Sequence, residues 1–248
     1  MTTANANANT NAARLVRGLC RLVLLLFRVK VETRGALPRE PVLLIANHFG
    51  WLDIVAVLAY HDCGFVAKKE VRAWPIVGPL VERLGGVFVD RSRKRDLLYS
   101  IPQLARRLRE GRRVLVFAEG TTSDGTMLLP FKSALIEAAV LANVPVVPLA
   151  IKADAAEGDL SALAWIGDES LIENIPRVRA LRGITFTIHA APALALDPQR
   201  KRLSHAARAA IARRLPHGAI ARTTRRLRRS PTWLERLREA ELATDREF

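Results

Sequence analysis

Cysteine is scarce in this chain: 248 residues hold two, Cys20 and Cys63, in no CxxC pair and no metal-ligand cluster. That excludes a disulfide scaffold and fits a reducing compartment. The five histidines, His48, His61, His189, His205 and His217, have no ligand-like spacing, so no metal site is predicted. No GxSxG elbow is present to offer a serine nucleophile. There is also no clean apolar run of about 20 residues, as a spanning helix needs: the apolar stretch from Ala13 to Val29 is interrupted by Arg14, Arg17, Arg21 and Arg28. Acidic residues are outnumbered, 24 against 39 lysines and arginines, for a net charge of +15. Such an excess demands an anionic partner, and nucleic acid and an anionic membrane are the two candidates. Aromatics at 6% and the lack of any legible recognition module count against a nucleic-acid-binding protein, which stands as the competing class.

What is present is a core. With 50% hydrophobic residues the chain is long enough for one full domain with extensions. Apolar runs at 42–46, 65–67, 87–89, 114–117 and 144–151 read as strands, and 184–188 alternates as a half-buried strand should. Helical patterns lie between them, at 51–60, 97–110 and 133–141. Together they predict an α/β fold, a central mostly parallel or mixed sheet flanked by helices. The polar, low-complexity residues 1–12 are expected to be disordered. Residues 13–30 read as an amphipathic helix, lying in a membrane interface or packed on the domain. The domain is expected to span 31–198, with 30–40 a connector and 153–183 a loop over the site or on the surface. Residues 199–248 form a basic, helical tail suited to an anionic bilayer or a solvated face. Nothing at the start reads as a signal peptide.

His48 and Asp53 carry the chemistry. Histidine titrates near neutrality, and a carboxylate on one ring nitrogen fixes the tautomer, leaving the other nitrogen to take a proton from a hydroxyl. Five residues are about 140° around a helix, so the two meet only if His48 sits at the strand-to-helix turn, before the regular helix. The bland alternative is a surface histidine and a helix-face aspartate.

Four blocks occur in order: Asn47-His48-Phe49-Gly50-Trp51-Leu52-Asp53, then Gly86 to Arg91, then Phe117 to Ser123, then Val144 to Leu149. They resemble the four sequence blocks of the lysophospholipid and glycerol-phosphate acyltransferase family over roughly residues 40 to 150. The resemblance implies His48 and Asp53 as catalytic residues. It implies an acceptor site drawn from Asn47, Arg91, Glu119, Gly120, Thr121, Thr122 and Lys132, with Arg91 on the headgroup and backbone N–H groups near Gly120 on the reacting carbonyl oxygen. Two departures stand out: Ala118 replaces the usual Pro, and Thr122 replaces the usual Arg. The implied reaction moves a fatty acyl group from an acyl carrier protein or CoA thioester to the hydroxyl of 1-acylglycerol 3-phosphate, giving phosphatidic acid. The alternative acceptor is lyso-ornithine lipid, which has an amine and a carboxylate and no phosphate. No bound cofactor is needed, because the thioester carries the activation. The implied location is peripheral or monotopic, at the cytoplasmic face of the inner membrane.

Overall fold

The computed structural model describes residues 3–90, 94–123, 127–165 and 169–215. Its frame is a seven-stranded mixed sheet. The strands are β1 (Lys30–Arg34), β2 (Leu43–Ala46), β3 (Gly64–Lys68), β4 (Val87–Val89), β5 (Val114–Phe117), β6 (Val146–Asp154) and β7 (Thr185–Ala190), in the order β1-β7-β6-β2-β5-β3-β4. All pairings are parallel except β6 with β7. β2 lies at the centre and every one of its residues is buried, as a near-continuous apolar strand with both faces covered must be.

Helices cover both faces: α1 (Thr3–Leu26), α2 (Trp51–Tyr60), α3 (Val77–Arg83), α4 (Lys94–Arg109), α5 (Glu137–Ala142), α6 (Leu171–Ala180) and α7 (Arg200–Ala212). On one face Val16, Cys20 and Leu24 of α1 pack with α2 residues Leu52, Ala56 and Ala59. On the other, Leu104 and Leu108 of α4 and Leu203, Ala207 and Ile211 of α7 share one core cluster with Leu43 and Ile45. At roughly 1.5–3 kcal/mol per fully buried aliphatic side chain, these two clusters fix the register of β2.

Four sequence expectations need correction. Residues 30–34 are a strand, not a connector: β1 pairs in parallel with β7 at the sheet edge. The helix α1 begins at Thr3, where composition predicts disorder through residue 12. Once the packed part of α1 has formed the nucleus, each added turn costs little, and alternate alanines favour it. The stretch 153–183 is not a plain loop, for it carries a 3₁₀ turn (Leu160–Leu163) and α6. Finally, the domain does not end at 198. α7 buries Leu203, Ser204, Ala207, Ala210 and Ile211 against the sheet, so the start of the basic tail belongs to the core. The tail from 216 onward lies outside the described residues.

Asn47, expected to bind substrate, is used by the fold instead. Its side-chain Nδ2 donates to the Ile151 carbonyl at 2.8 Å, and its Oδ1 accepts the Ile151 N–H at 2.8 Å. The amide thereby extends the β2–β6 ladder by one step beyond Ala46. Replacing Asn47 by alanine leaves a buried N–H and a buried carbonyl unpaired, at about 1–3 kcal/mol each. Urea unfolding of Asn47→Ala is expected to show a midpoint lowered to match, with unchanged slope. An unmoved midpoint would show that Asn47 does not clamp β2 to β6.

Candidate active site

The chain leaves β2 at Ala46 and enters α2 at Trp51, and His48 lies in the turn between, as the geometric condition requires. Asp53 occupies the third position of α2. Its Oδ2 accepts the N–H of Phe49 at 2.6 Å and that of the N-cap Gly50 at 3.2 Å. The same carboxylate takes His48 Nδ1, at 3.0 Å from Oδ1 and 3.1 Å from Oδ2. An aspartate in the first turn is favoured by the helix dipole, and here it also captures a histidine that lies outside the helix. The Asp53 side chain is 0% exposed and that of His48 12%. With Nδ1 engaged, the imidazole stacks on Phe117 at 3.9 Å between centroids. Among the described residues no partner takes Nε2.

Glu119 braces the turn from the end of β5. Its Oε1 accepts the backbone N–H of His48 at 3.0 Å, and its Oε2 accepts that of Leu129 at 3.1 Å. Both oxygens thus accept backbone N–H groups, and the residue holds the His48 turn in place. Burial pushes the Glu119 carboxyl up to about 8. The two N–H donors and, more weakly, Arg208 pull it down, while the Asp53 charge adds to the rise.

Gly120 also departs from expectation. Its N–H donates to the Phe117 carbonyl at 3.1 Å, which removes it as a donor to a reacting oxygen. Its φ of +70° favours glycine, and a Cβ there would come within 2.9 Å of Lys132 Cδ. The Lys132 side chain therefore runs over Gly120, at the rim of the site.

A second bracket comes from the segment before α6. The Trp165 N–H donates to the Phe49 carbonyl at 3.2 Å, and the Thr122 hydroxyl donates to the Trp165 carbonyl. Ser123 closes the ring with its N–H on the His48 carbonyl at 2.9 Å. At Gly50 a Cβ would lie 2.4 Å from the Leu163 carbonyl oxygen, so only glycine admits this approach. Further out, Trp51 Nε1 donates to Asn174 at 2.9 Å, and Asn174 donates to the Ala164 carbonyl at 3.1 Å and to Glu169 at 3.2 Å.

Of the predicted site residues, the structure brings together His48, Asp53, Glu119, Gly120, Thr122 and Lys132. Thr121 is exposed on the same loop, Asn47 is committed to β6, and Arg91 lies outside the described residues. The sequence reading places Trp165 in a loop over the site or on the surface and Phe117 in the third block, and assigns no site role to Phe117 or Asn174. One signal was legible: Ser170 and Glu173 form a capping box that announces α6, with Ser170 N–H on Glu173 at 2.7 Å.

A mixed α/β sheet that presents a carboxylate-held histidine at the carboxyl ends of its central strands is a scaffold for moving a hydroxyl proton. The family model described as Acyltransferase matches residues 28–152, and the chain belongs to that family. Among its relatives, a lyso-ornithine lipid O-acyltransferase of Brucella abortus (strain 2308) is 37% identical over 176 residues, 65% of this chain and 66% of that protein. A namesake from Pseudomonas aeruginosa is 37% identical over 160 residues, 64% and 61% of the two chains. The match thus spans less than two thirds of those relatives. A 1-acyl-sn-glycerol-3-phosphate acyltransferase of Neisseria meningitidis serogroup B is 33% identical over 177 residues, 71% of this chain and 69% of the other. In fold, the chain is similar to the crystal structure of the 1-acyl-sn-glycerophosphate acyltransferase PlsC of Thermotoga maritima. The TM-score is 0.63 with 19% identity, covering 86% of this chain and 83% of that one.

The raised Glu119 carboxyl has a thermodynamic consequence. Between the ordinary value of 4.5 and about 8 the folded protein keeps a proton that the unfolded chain releases. Its contribution is therefore fully present below 4.5 and is lost as pH rises through 8. The unfolding free energy of wild type, taken relative to Glu119→Gln, is expected to fall across that window in paired denaturation series. A pH-independent difference would contradict the burial of an ionisable Glu119.

Proposed function

We propose that this protein is a lysolipid O-acyltransferase in which His48 acts as general base on the acceptor hydroxyl. The observation that carries the reading is the His48 Nδ1 contact with both oxygens of the buried Asp53 carboxylate. Nδ1 on a carboxylate leaves the Nε2 lone pair to accept the hydroxyl proton as the oxygen attacks the thioester carbonyl. The carbon–sulfur bond then breaks, and the imidazolium returns the proton to the departing thiolate of acyl carrier protein or CoA. General-base assistance of this kind supplies roughly 10²- to 10⁴-fold. The thioester supplies the activation, and no bound cofactor enters the step.

For the acceptor, lyso-ornithine lipid is the preferred reading, which reverses the order expected from the sequence. Where an arginine would hold phosphate, Thr122 has its hydroxyl on the Trp165 carbonyl. The neighbouring Asp124 adds a carboxylate suited to an ammonium group. The relatives bearing that name are 37% identical, against 33% for the Neisseria relative. The second reading, 1-acylglycerol 3-phosphate, draws support from the Neisseria relative, from Arg91, and from Lys132 at the site rim.

α1 supports a membrane surface as the place of work. Its inner face, Val16, Cys20 and Leu24, is buried, yet Leu15, Leu22, Leu25 and Leu26 are 72, 51, 73 and 65% exposed on the outside. Arg14 and Arg28 stand near the two ends of this stripe in the sequence, as basic residues suited to anionic headgroups. Among the described residues no helix is long and apolar enough to cross a membrane. On this reading α1 is double-faced, fastened to the domain by one apolar stripe and offered to an anionic bilayer by the other.

Purified wild type given both lysolipids and one acyl thioester is expected to acylate lyso-ornithine lipid preferentially. Thr122→Arg is expected to move the preference toward the phosphate acceptor, and His48→Ala to lose at least about 10²-fold in turnover on both. Wild-type turnover by His48→Ala would end the general-base reading. A strong wild-type preference for 1-acylglycerol 3-phosphate, unmoved by Thr122→Arg, would select the second acceptor.

Flotation with anionic vesicles tests the surface. Leu22→Glu with Leu25→Glu should lower vesicle binding about tenfold or more while the domain stays folded, since each buried leucine is worth about 1.5–3 kcal/mol. Undiminished binding would place the contact elsewhere.

A further inference from the structure

The general base is braced from a part of the chain that none of the four blocks includes. Arg208, half-buried on α7, donates through Nε to the Leu129 carbonyl at 3.0 Å and through Nη2 to the Leu128 carbonyl at 2.7 Å. One turn earlier, the Ser204 hydroxyl donates to the Phe131 carbonyl at 3.2 Å. α7 therefore grips the segment 128–131 at three backbone carbonyls, those of Leu128, Leu129 and Phe131. The N–H of that same Leu129 is the one that holds Glu119 Oε2, and Glu119 Oε1 holds the N–H of His48. A continuous series of hydrogen bonds runs from α7 through the 128–131 segment and Glu119 to the backbone of the histidine whose ring carries the chemistry.

We propose that Arg208 is a positioning residue for acyl transfer: its guanidinium fixes the Leu128–Leu129 segment and faces Glu119, so that Glu119 holds the His48 turn at the reacting distance. The proposal rests on His48 as general base.

A guanidinium suits the task because its planar fork meets two adjacent carbonyls at once, which an ammonium does not. Its charge acts as well. The groups facing Glu119 are Asp53 from α2, which opposes its ionisation, Arg208 from α7, which favours it, and His48 from the turn between β2 and α2. Lys132 passes beside Gly120, next in the chain. The ionised carboxylate accepts both backbone N–H groups most strongly, so loss of Arg208 loosens the brace and shifts its ionisation to higher pH.

Arg208→Gln and Arg208→Lys, compared with wild type by kcat and KM across pH on the full chain, test this. Arg208→Gln is expected to lower kcat about tenfold or more with little change in KM, since a small misplacement of a catalytic group is costly. Its acid limb should move up by about half a pH unit or more. Arg208→Lys keeps the charge and one contact, so it should restore the limb and only part of kcat. In a Glu119→Gln background, Arg208→Gln should move the limb no further. Circular dichroism and thermal melts confirm that each variant is folded, and if Arg208→Gln is not, the lysine variant and the Glu119→Gln pair carry the comparison. Wild-type kcat and limb in Arg208→Gln would overturn the proposal, as would a fall in kcat with the limb unmoved. Parallel turnover of His48→Ala separates the two failures: if that variant is inactive while Arg208→Gln behaves as wild type, the base reading stands and only the role of Arg208 falls.

Discussion

The buried carboxylate of Asp53 is the constraint on which the site depends. Taken out of water it must be satisfied, and the first turn of α2 does this with the N–H groups of Phe49 and Gly50, assisted by the helix dipole. The remaining acceptor capacity goes to His48 Nδ1. Helix initiation and orientation of the His48 ring are therefore one event. A residue that would otherwise serve only as a cap selects the tautomer of a histidine one turn upstream.

Around that carboxylate the chain builds an enclosure from distant parts. Glu119 holds the His48 N–H from the end of β5, Ser123 holds the His48 carbonyl, and Trp165 holds the carbonyl of Phe49. The backbone of the His48 turn is thus tied on both sides. This is why the imidazole need not lie within a regular helix to keep a fixed orientation. Such preorganisation lowers the entropic cost of reaching a near-attack geometry. It also explains the glycines: Gly50 lets the Leu163 carbonyl approach, and Gly120 supplies the left-handed turn beside Lys132.

What was legible in the sequence follows the strength of the local signal. β2 and α2 are continuous or periodic in apolar residues, and the helix spans 51–60 as its pattern predicts. The His48 and Asp53 pair was legible because a strand end and a helix start bracket it. β1 was hidden because Lys30-Val31-Glu32-Thr33-Arg34 is an exposed edge strand with one inward apolar residue and no run to notice. α7 reads in the sequence as a charged tail because its arginines mask Leu203, Ala207, Ala210 and Ile211 at helical spacing. The roles of Asn47, Glu119 and Gly120 were not legible at all. For Asn47 and Glu119, whether an amide or a carboxylate meets substrate or backbone depends on partners 10 to 104 residues away, which no local pattern records, while the Gly120 N–H turns back onto the Phe117 carbonyl.

In the proposed reaction His48 and Asp53 act as one unit, the carboxylate fixing the ring so that Nε2 accepts the proton. Single-turnover rates of acyl transfer for Asp53→Asn, His48→Ala and the double variant test it most directly. Asp53→Asn keeps the size of the side chain and changes what Nδ1 meets, so it is expected to lose about 10²- to 10⁴-fold, with the double variant no slower than His48→Ala alone. Additive losses, or near wild-type rates in Asp53→Asn, would contradict the claim.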